Sequence, residues 1–540
     1  MKKSLIALSA LAAISTSSFA AKVTHTDMMH QIEALKAQIS ALENKLGATE
    51  STTKENKVSL EKMMSDDSSI VTDERFKKLE KKVSQVDKTA KVAKIQSAKD
   101  NIRWDVDFRT QVDNIQYKHA DGSKSKNNAL LTNRLWLGAA YAPNENTIFK
   151  GKLSYNKAFG DTANHSQSNT TPGYADFDWV TNENATDNTV KVKEAYWLYK
   201  NDTLAGADVP WTVSVGRRPS TDGMPINLRN AQKANSPLSH VVDVEFDGFS
   251  AKFDLEKVTG ATGSWFKICG GRGLTNATPR FDMFSPAYSR DESKNVDVDM
   301  LGFIAAPYDD GQYSVHVNYA RAWNLIGFDG LSLQNFNTAY GTYMMNPTAD
   351  NAFAMQMAIP AFSDVGDIDY ATILLKSEGI GDGISDYLDD TTIFASAAMS
   401  KTKPNANVPG GMLGSTESET GHSFWVGVNA PCPISPDDSR IGVEWNKGSK
   451  YWRSMTYAED NFSGSKIAAR GTAWEVYRNQ KINNALSWGL SYTYIKYDYT
   501  GSNSFFGADG TPYTMAQAMA GGQNPVEKAQ DIRAYVRYQF

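Results

Sequence analysis

The sequence predicts an all-β fold: a transmembrane antiparallel β-barrel of about sixteen strands, with eighteen as the alternative count, preceded by an α-helical coiled-coil segment. Three features carry this. The first is the last nine residues, where Ile532, Ala534, Val536, Tyr538 and Phe540 fall on one face of a strand and Arg533, Tyr535, Arg537 and Gln539 on the other. A closing barrel strand needs that pattern, with an apolar face toward lipid and a polar face toward the lumen. The second is a change of hydrophobic period near Asn101, from about 3.5 residues to 2. The third is the rhythm of the connections between period-2 stretches, which alternate long and short.

Composition agrees with this class and excludes others. Of the 540 residues 41% are apolar, and the mature chain has no run of about 18 apolar residues, so it cannot cross a membrane by helices. Barrel strands escape that test because lipid-facing residues alternate with polar ones. A net charge of -5 argues against a nucleic-acid partner, which would call for a basic field. The 24 Tyr and 12 Trp suit a core, and equally suit aromatic girdles at two membrane interfaces.

Residues 1–20 read as a secretory signal peptide: basic Lys2 and Lys3, an apolar stretch from Leu5 to Ile14, and the small-x-small site Ser18-Phe19-Ala20. Residues 21–99 read as a periplasmic coiled-coil region. Met28, Ile32, Leu35, Ile39, Leu42 and Leu46 are spaced alternately by four and three, and a second seam runs Phe76, Leu79, Val83, Val86, Ala90, Ala93. A continuous helix of about 70 residues would reach roughly 100 Å, enough to approach peptidoglycan. A hairpin packed on itself is the plainer reading of the same seams.

Residues 100–540 read as the barrel. Its first strand sets Ile102, Trp104, Val106 and Phe108 against Arg103, Asp105, Asp107 and Arg109, and that charged face suits a wet lumen. Further period-2 stretches lie near 133–141, 147–155, 190–199, 211–217, 249–256, 263–269, 297–305, 313–322, 367–375, 391–399, 422–429, 439–446, 467–477, 486–496 and 532–540. In 190–199 Glu194 shares the outer phase with Val192 and Tyr196, which predicts a bulge or a rim position. Short connections hold turn residues, as in Pro143 to Asn146, Pro307 to Gly311 and Pro431 to Asp438. Long ones include 156–189, 218–248, 270–296, 323–366 and 497–531. The short turns then face the periplasm and the long loops the outside. On this topology Cys269 and Cys432 lie a barrel height apart and stay free thiols.

Little in the sequence points to covalent chemistry. The seven His form no H-x-x-x-H or Cys-His cluster, and Gly379 to Asp390 lacks the spacing of a calcium loop, so no metal or cofactor is expected. Val215 to Pro225 (V-G-R-R-P-S-T-D-G-M-P) is different: a stiff, basic segment, with Arg229 and Lys233 further along. Folded into the lumen, it would narrow the passage and bias it electrostatically; left outside, its arginines would be solvated or paired with Asp222 and Asp243. The candidate lining and constriction residues are therefore Arg217, Arg218, Arg229, Arg103, Asp105, Asp107, Arg109, Lys150, Lys152, Arg533 and Arg537, with a lean toward anions.

Several internal stretches, V-G-R-R-P-S-T-D-G at 215–223, G-G-R-G-L-T at 270–275, F-A-S-A-A-M-S-K-T-K-P-N at 394–405 and G-V-E-W-N-K-G-S-K-Y-W at 442–452, resemble a family of exported bacterial proteins of unknown function, taken to be outer-membrane porins with an N-terminal coiled coil. The resemblance covers most of the chain and implies porin-like architecture. It transfers no substrate and no functional residues. The terminal strand ending in Phe540 also resembles the signal by which such barrels reach their assembly machinery.

The function expected is passive diffusion of small hydrophilic, anion-leaning solutes through a water-filled barrel in the outer membrane, by an oligomer of identical chains. Two alternatives stand beside it: a plugged barrel with a structural or adhesive role, and a barrel sheath around an electron-carrying cytochrome.

Overall fold

The computed structural model describes residues 102–159, 190–275, 297–380, 383–456 and 459–540, all within one compact unit spanning 91–540. The predicted signal peptide and coiled coil lie outside the described residues, as do 160–189 and 276–296 of two long connections.

Sixteen strands close into one antiparallel barrel. They are β1 (Arg103–His119), β2 (Lys124–Tyr141), β3 (Thr147–Ala158), β4 (Val190–Asn201), β5 (Trp211–Arg218), β7 (Phe246–Asp254), β8 (Trp265–Thr275), β9 (Asp297–Asp309), β10 (Tyr313–Gly327), β11 (Ser363–Glu378), β12 (Thr392–Pro404), β13 (Thr420–Pro431), β14 (Ser439–Gly448), β16 (Gly471–Lys481), β17 (Leu486–Tyr497) and β18 (Val526–Gln539). Two short strands, β6 (Val242–Asp243) and β15 (Met455–Thr456), stand apart as a parallel pair. Each wall strand pairs with its neighbours in sequence order, and β18 closes on β1 from Asp107 opposite Gln539 to Val112 opposite Ala534 and beyond.

The alternation works as the sequence requires. Ile532, Val536, Tyr538 and Phe540 are exposed on the outer face, while Arg533 and Arg537 are buried inside. Trp104, Phe149, Leu153, Phe249, Ile373, Val426, Trp474 and Leu490 continue the exposed apolar surface around the wall. A surface this apolar is a liability in water and a requirement in hydrocarbon. Among the described residues no helix is long and apolar enough to cross a membrane.

All sixteen predicted stretches carry a wall strand, and the differences lie at their ends. β1 and β2 run on to His119 and from Lys124, so the first connection is the tight turn 120–123 rather than a long loop. Gly122 makes that turn with a left-handed φ of 89°. The register shifts between Asp113 and Ile115 in the β1–β2 pair, and that irregularity breaks the period-2 signal after Val112. β18 likewise begins at Val526 rather than 532, and β16 begins at Gly471 because 467–470 belong to the preceding loop. In β4 the predicted bulge is present: Lys152 faces Glu194 and Leu153 faces Val192, leaving Lys193 as the extra residue. Val192 is therefore exposed while Lys193, Glu194 and Tyr196 are all buried.

The thiols of Cys269 and Cys432 are free. Cys269 sits within β8, opposite Ser250 and Gly302, rather than at its end.

Candidate functional site

Among the described residues, two connections fold into the lumen instead of leaving it: residues 219–245 between β5 and β7, and residues 449–470 between β14 and β16. They meet through the β6–β15 pairing, where Met455 faces Val242 and Thr456 faces Asp243. Val241, His240, Trp452, Lys466 and Arg470 in these loops are as buried as core residues of a soluble protein. Their apolar part packs on the wall: Val241, Val242, Val244, Trp452 and Met455 share one cluster with Ala320, Leu325, Ile368 and Tyr370. Ile226, Leu238 and Ile467 share another with Leu374, Phe394 and Trp425.

Charge fixes the rest. Asp460 accepts both Nη1 and Nη2 of Arg109 at 2.5 and 2.7 Å and Nη1 of Arg134 at 2.9 Å. Arg533 donates Nη1 to the Asp460 carbonyl oxygen at 2.5 Å and Nε to Asp113 at 2.6 Å. Arg537 holds Asp107 through Nε at 2.7 Å and Nη2 at 2.5 Å, and donates Nη1 to the Asn230 carbonyl at 2.7 Å. Arg229, from the first loop, reaches Glu475 of β16 at 3.5 Å and the Glu459 carbonyl of the second loop. Lys466, with no exposed surface, bridges Glu444 of β14 and Glu475 of β16, and Trp425 Nε1 donates to Glu444 at 3.0 Å. Burial tends to raise the Asp460 carboxyl pKa, but the guanidinium groups of Arg109, Arg134 and Arg533 outweigh it and hold the group well below the usual carboxylate range.

His240 anchors the first loop without charge. Its ring nitrogens contact Ser396 Oγ at 2.7 Å and Ser423 Oγ at 2.9 Å, and the rings of Trp425 and Trp452 flank it with centroids 5.7 Å away. Burial alone lowers its pKa to about 3, so it is neutral when docked.

The open space is unequal. On the short-turn side a vestibule of about 1250 Å³ is lined by Asn227 to Lys233 of the first loop, by turn residues Pro436 to Asp438 and Asn483 to Ala485, and by Tyr535 and Arg537. Next to it, among Arg109, Arg134, Arg229, Asp460, Glu475 and Arg533, lies a separate gap of about 30 Å³. That is room for only one or two waters.

The predicted lining residues therefore separate. Asp107, Arg109, Arg229, Arg533 and Arg537 come together at this waist, each in an ion pair, so their positive charge does not stand free. Arg103, Asp105 and Lys150 are exposed near the short-turn end, and Lys152 pairs with Glu194 at 2.8 Å. Arg217 does not reach the waist: it binds Glu245 and, at 3.3 Å, Asp247, tying the two ends of the first loop together. Arg218 faces a separate pocket. At the waist the arginines are paired with Asp107, Asp113, Asp460 and Glu475.

Sequence reasoning missed Arg134, Asp460 and Lys466. Arg134 lies in a recognised strand, on the same phase as Trp136. For the second loop the signal was present in Lys466 to Arg470, K-I-A-A-R, an apolar patch bracketed by cations, whose last four residues read in the sequence as the start of the strand 467–477.

Comparison with known proteins adds the following. Among solved structures the chain is similar to OmpT, an outer membrane protein of Vibrio cholerae (12% identity, 81% of this chain and 98% of that one, TM-score 0.38). It is also similar to an anion-selective porin from Comamonas acidovorans (11%, 81% and 100%, 0.40) and to Pseudomonas putida OprB (12%, 81% and 94%, 0.42). No curated protein matches the sequence. A family model described as a protein of unknown function, DUF3373, matches residues 124–540, which take in fifteen of the sixteen wall strands and both inward loops, and the chain belongs to that family.

Proposed function

We propose that this protein is an outer-membrane porin that passes only small hydrophilic solutes because its two inward loops constrict the lumen. The observation that carries this is the step from a vestibule of about 1250 Å³ to a gap of about 30 Å³ at the Asp460 cluster. A polar lumen supports solute passage, and a waist built of paired charges supports selection by size more than by sign. In this reading residues 1–20 direct export, residues 21–99 stand in the periplasm where they can meet peptidoglycan, the short turns face the periplasm, and identical chains associate in the membrane. The barrel assembly machinery would insert it, with the strand ending at Phe540 as its signal.

Planar-bilayer recording of the purified full-length chain tests the proposal. The expected result is small ohmic steps with little preference between anions and cations, enlarged when Asp460→Asn frees the second loop. Wide, constant conductance from the unaltered protein would overturn it.

A second reading, a plugged barrel that binds a partner, draws on the helical hairpin 330–345 and 349–357 between β10 and β11, where Met344, Met345, Phe353 and Met357 are all exposed. Silence in the bilayer from both the unaltered protein and Asp460→Asn would favour it. A sheath around a cytochrome is not supported, because the chain's own loops occupy the space a second protein would need.

A further inference from the structure

Between the first inward loop and the wall lies a second cavity, of about 50 Å³, away from the Asp460 cluster. That is several times the roughly 10–15 Å³ one water needs. Arg218 at the end of β5 and Lys267 on β8 both line it, and no carboxylate does. Arg218 donates Nε to Ser214 Oγ at 2.6 Å, and Lys267 donates Nζ to Ser236 Oγ at 2.5 Å. Neither is in an ion pair among the described residues, in contrast to the waist arginines and to Arg217 next in sequence. Asn318 of β10 lines the same cavity, is 4% exposed, and its buried amide nitrogen has no hydrogen-bond partner. Two half-buried cations and a buried unused donor, with no anion supplied by the protein, form a site that an anion from outside would complete.

The remaining lining is apolar. Pro237 and Val242 come from the loop, and Phe246, Met300 and Ala320 from the wall. The floor is glycine: Gly248 and Gly271 face each other across β7 and β8, and a Cβ on either would come within 2.0–2.3 Å of a neighbouring carbonyl oxygen. Nothing larger fits there, and the hollow follows.

We infer that this pocket binds a small organic carboxylate, its head held by Arg218, Lys267 and Asn318 and its hydrocarbon body against Val242, Phe246 and Met300. Bound there it bridges the loop and the wall. An inorganic oxyanion would satisfy the cations but leave the apolar wall unused. The site is tested by binding, so its failure would be distinct from a failure of the porin reading.

Cys269 lines the pocket and provides the reporter. In the folded full-length protein in detergent, its alkylation by iodoacetamide is followed by peptide mass spectrometry at constant ionic strength. Butyrate and benzoate are expected to slow alkylation saturably, and butylammonium to have no effect. Arg218→Gln or Lys267→Gln should weaken half-protection by about tenfold or more. Lys252→Gln, whose lysine is paired with Asp254, should leave it unchanged. The proposal is overturned if butyrate gives no protection, if butylammonium protects equally, if sulfate protects better than butyrate, or if the double variant at Arg218 and Lys267 behaves like the unaltered protein.

Discussion

Replacing Asp460 by Asn removes one charge from a group that binds Arg109 through two hydrogen bonds and Arg134 through a third, with Arg533 3.5 Å away. All four side chains are nearly inaccessible. Removing one partner from a buried ion pair costs about 3–5 kcal/mol, because the other charges stay buried and uncompensated. Asn keeps one acceptor oxygen, so the lower end, about 3 kcal/mol, is the expected loss of docking for residues 449–470. At 1.4 kcal/mol per decade this raises the undocked population by roughly a hundredfold. Trypsin reads that population directly. Lys466 and Arg470 have no exposed surface and are cut only when the loop leaves the lumen, whereas exposed Lys450 is cut in either state and serves as the internal standard. When docking is fast relative to cleavage, the rate at Lys466 and Arg470 follows the undocked fraction. Cleavage there should rise by about two orders of magnitude relative to Lys450. An unchanged ratio would show that the Asp460 cluster does not hold the loop.

Three further outcomes follow from the same geometry. The docked His240 has a pKa of about 3, below its ordinary value of about 6.5, so the released loop takes up a proton that the docked one refuses. Its contribution to docking is complete above about pH 6.5 and declines by up to about 1.4 kcal/mol per pH unit as pH falls toward 3. Hydrogen exchange of 219–245 should show that slope in the difference between the unaltered protein and His240→Gln; Asp243, whose pKa burial raises, contributes in the opposite direction but to both and drops out of the difference. Lys466→Met leaves Glu444 and Glu475 facing each other without their shared cation, and should lower the barrel's thermal unfolding temperature in detergent, at a cost of about 3–5 kcal/mol. A non-reducing peptide map should find Cys269 and Cys432 unbridged, and a disulfide between them would contradict the strand order.

The wall was legible in the sequence because lipid on one side and polar surroundings on the other impose strict alternation, and that alternation located all sixteen strands. It faltered where bulges shift the phase, at Lys193 in β4 and after Asp113 in β1. The lumen's contents were harder to read. A loop buried in a polar-walled cavity docks through ion pairs as much as through apolar contacts, so 449–470 has the composition of a solvated loop. Arg109, Arg533 and Arg537 were recognisable as lining residues from the strand phase alone. Asp460, the partner of Arg109 and Arg533, was not, since nothing local links it to strands that begin and end the barrel.

The anchoring groups sit on the seam where the two ends of the barrel sheet meet: Asp107, Arg109 and Asp113 on β1, Arg533 and Arg537 on β18. The two loops, which come from the interior of the sequence, are thus held in part by side chains from its two ends. Barrel closure and loop docking share Asp107, Asp113, Arg533 and Arg537, so a substitution at the seam loosens the wall and the lumen's contents together.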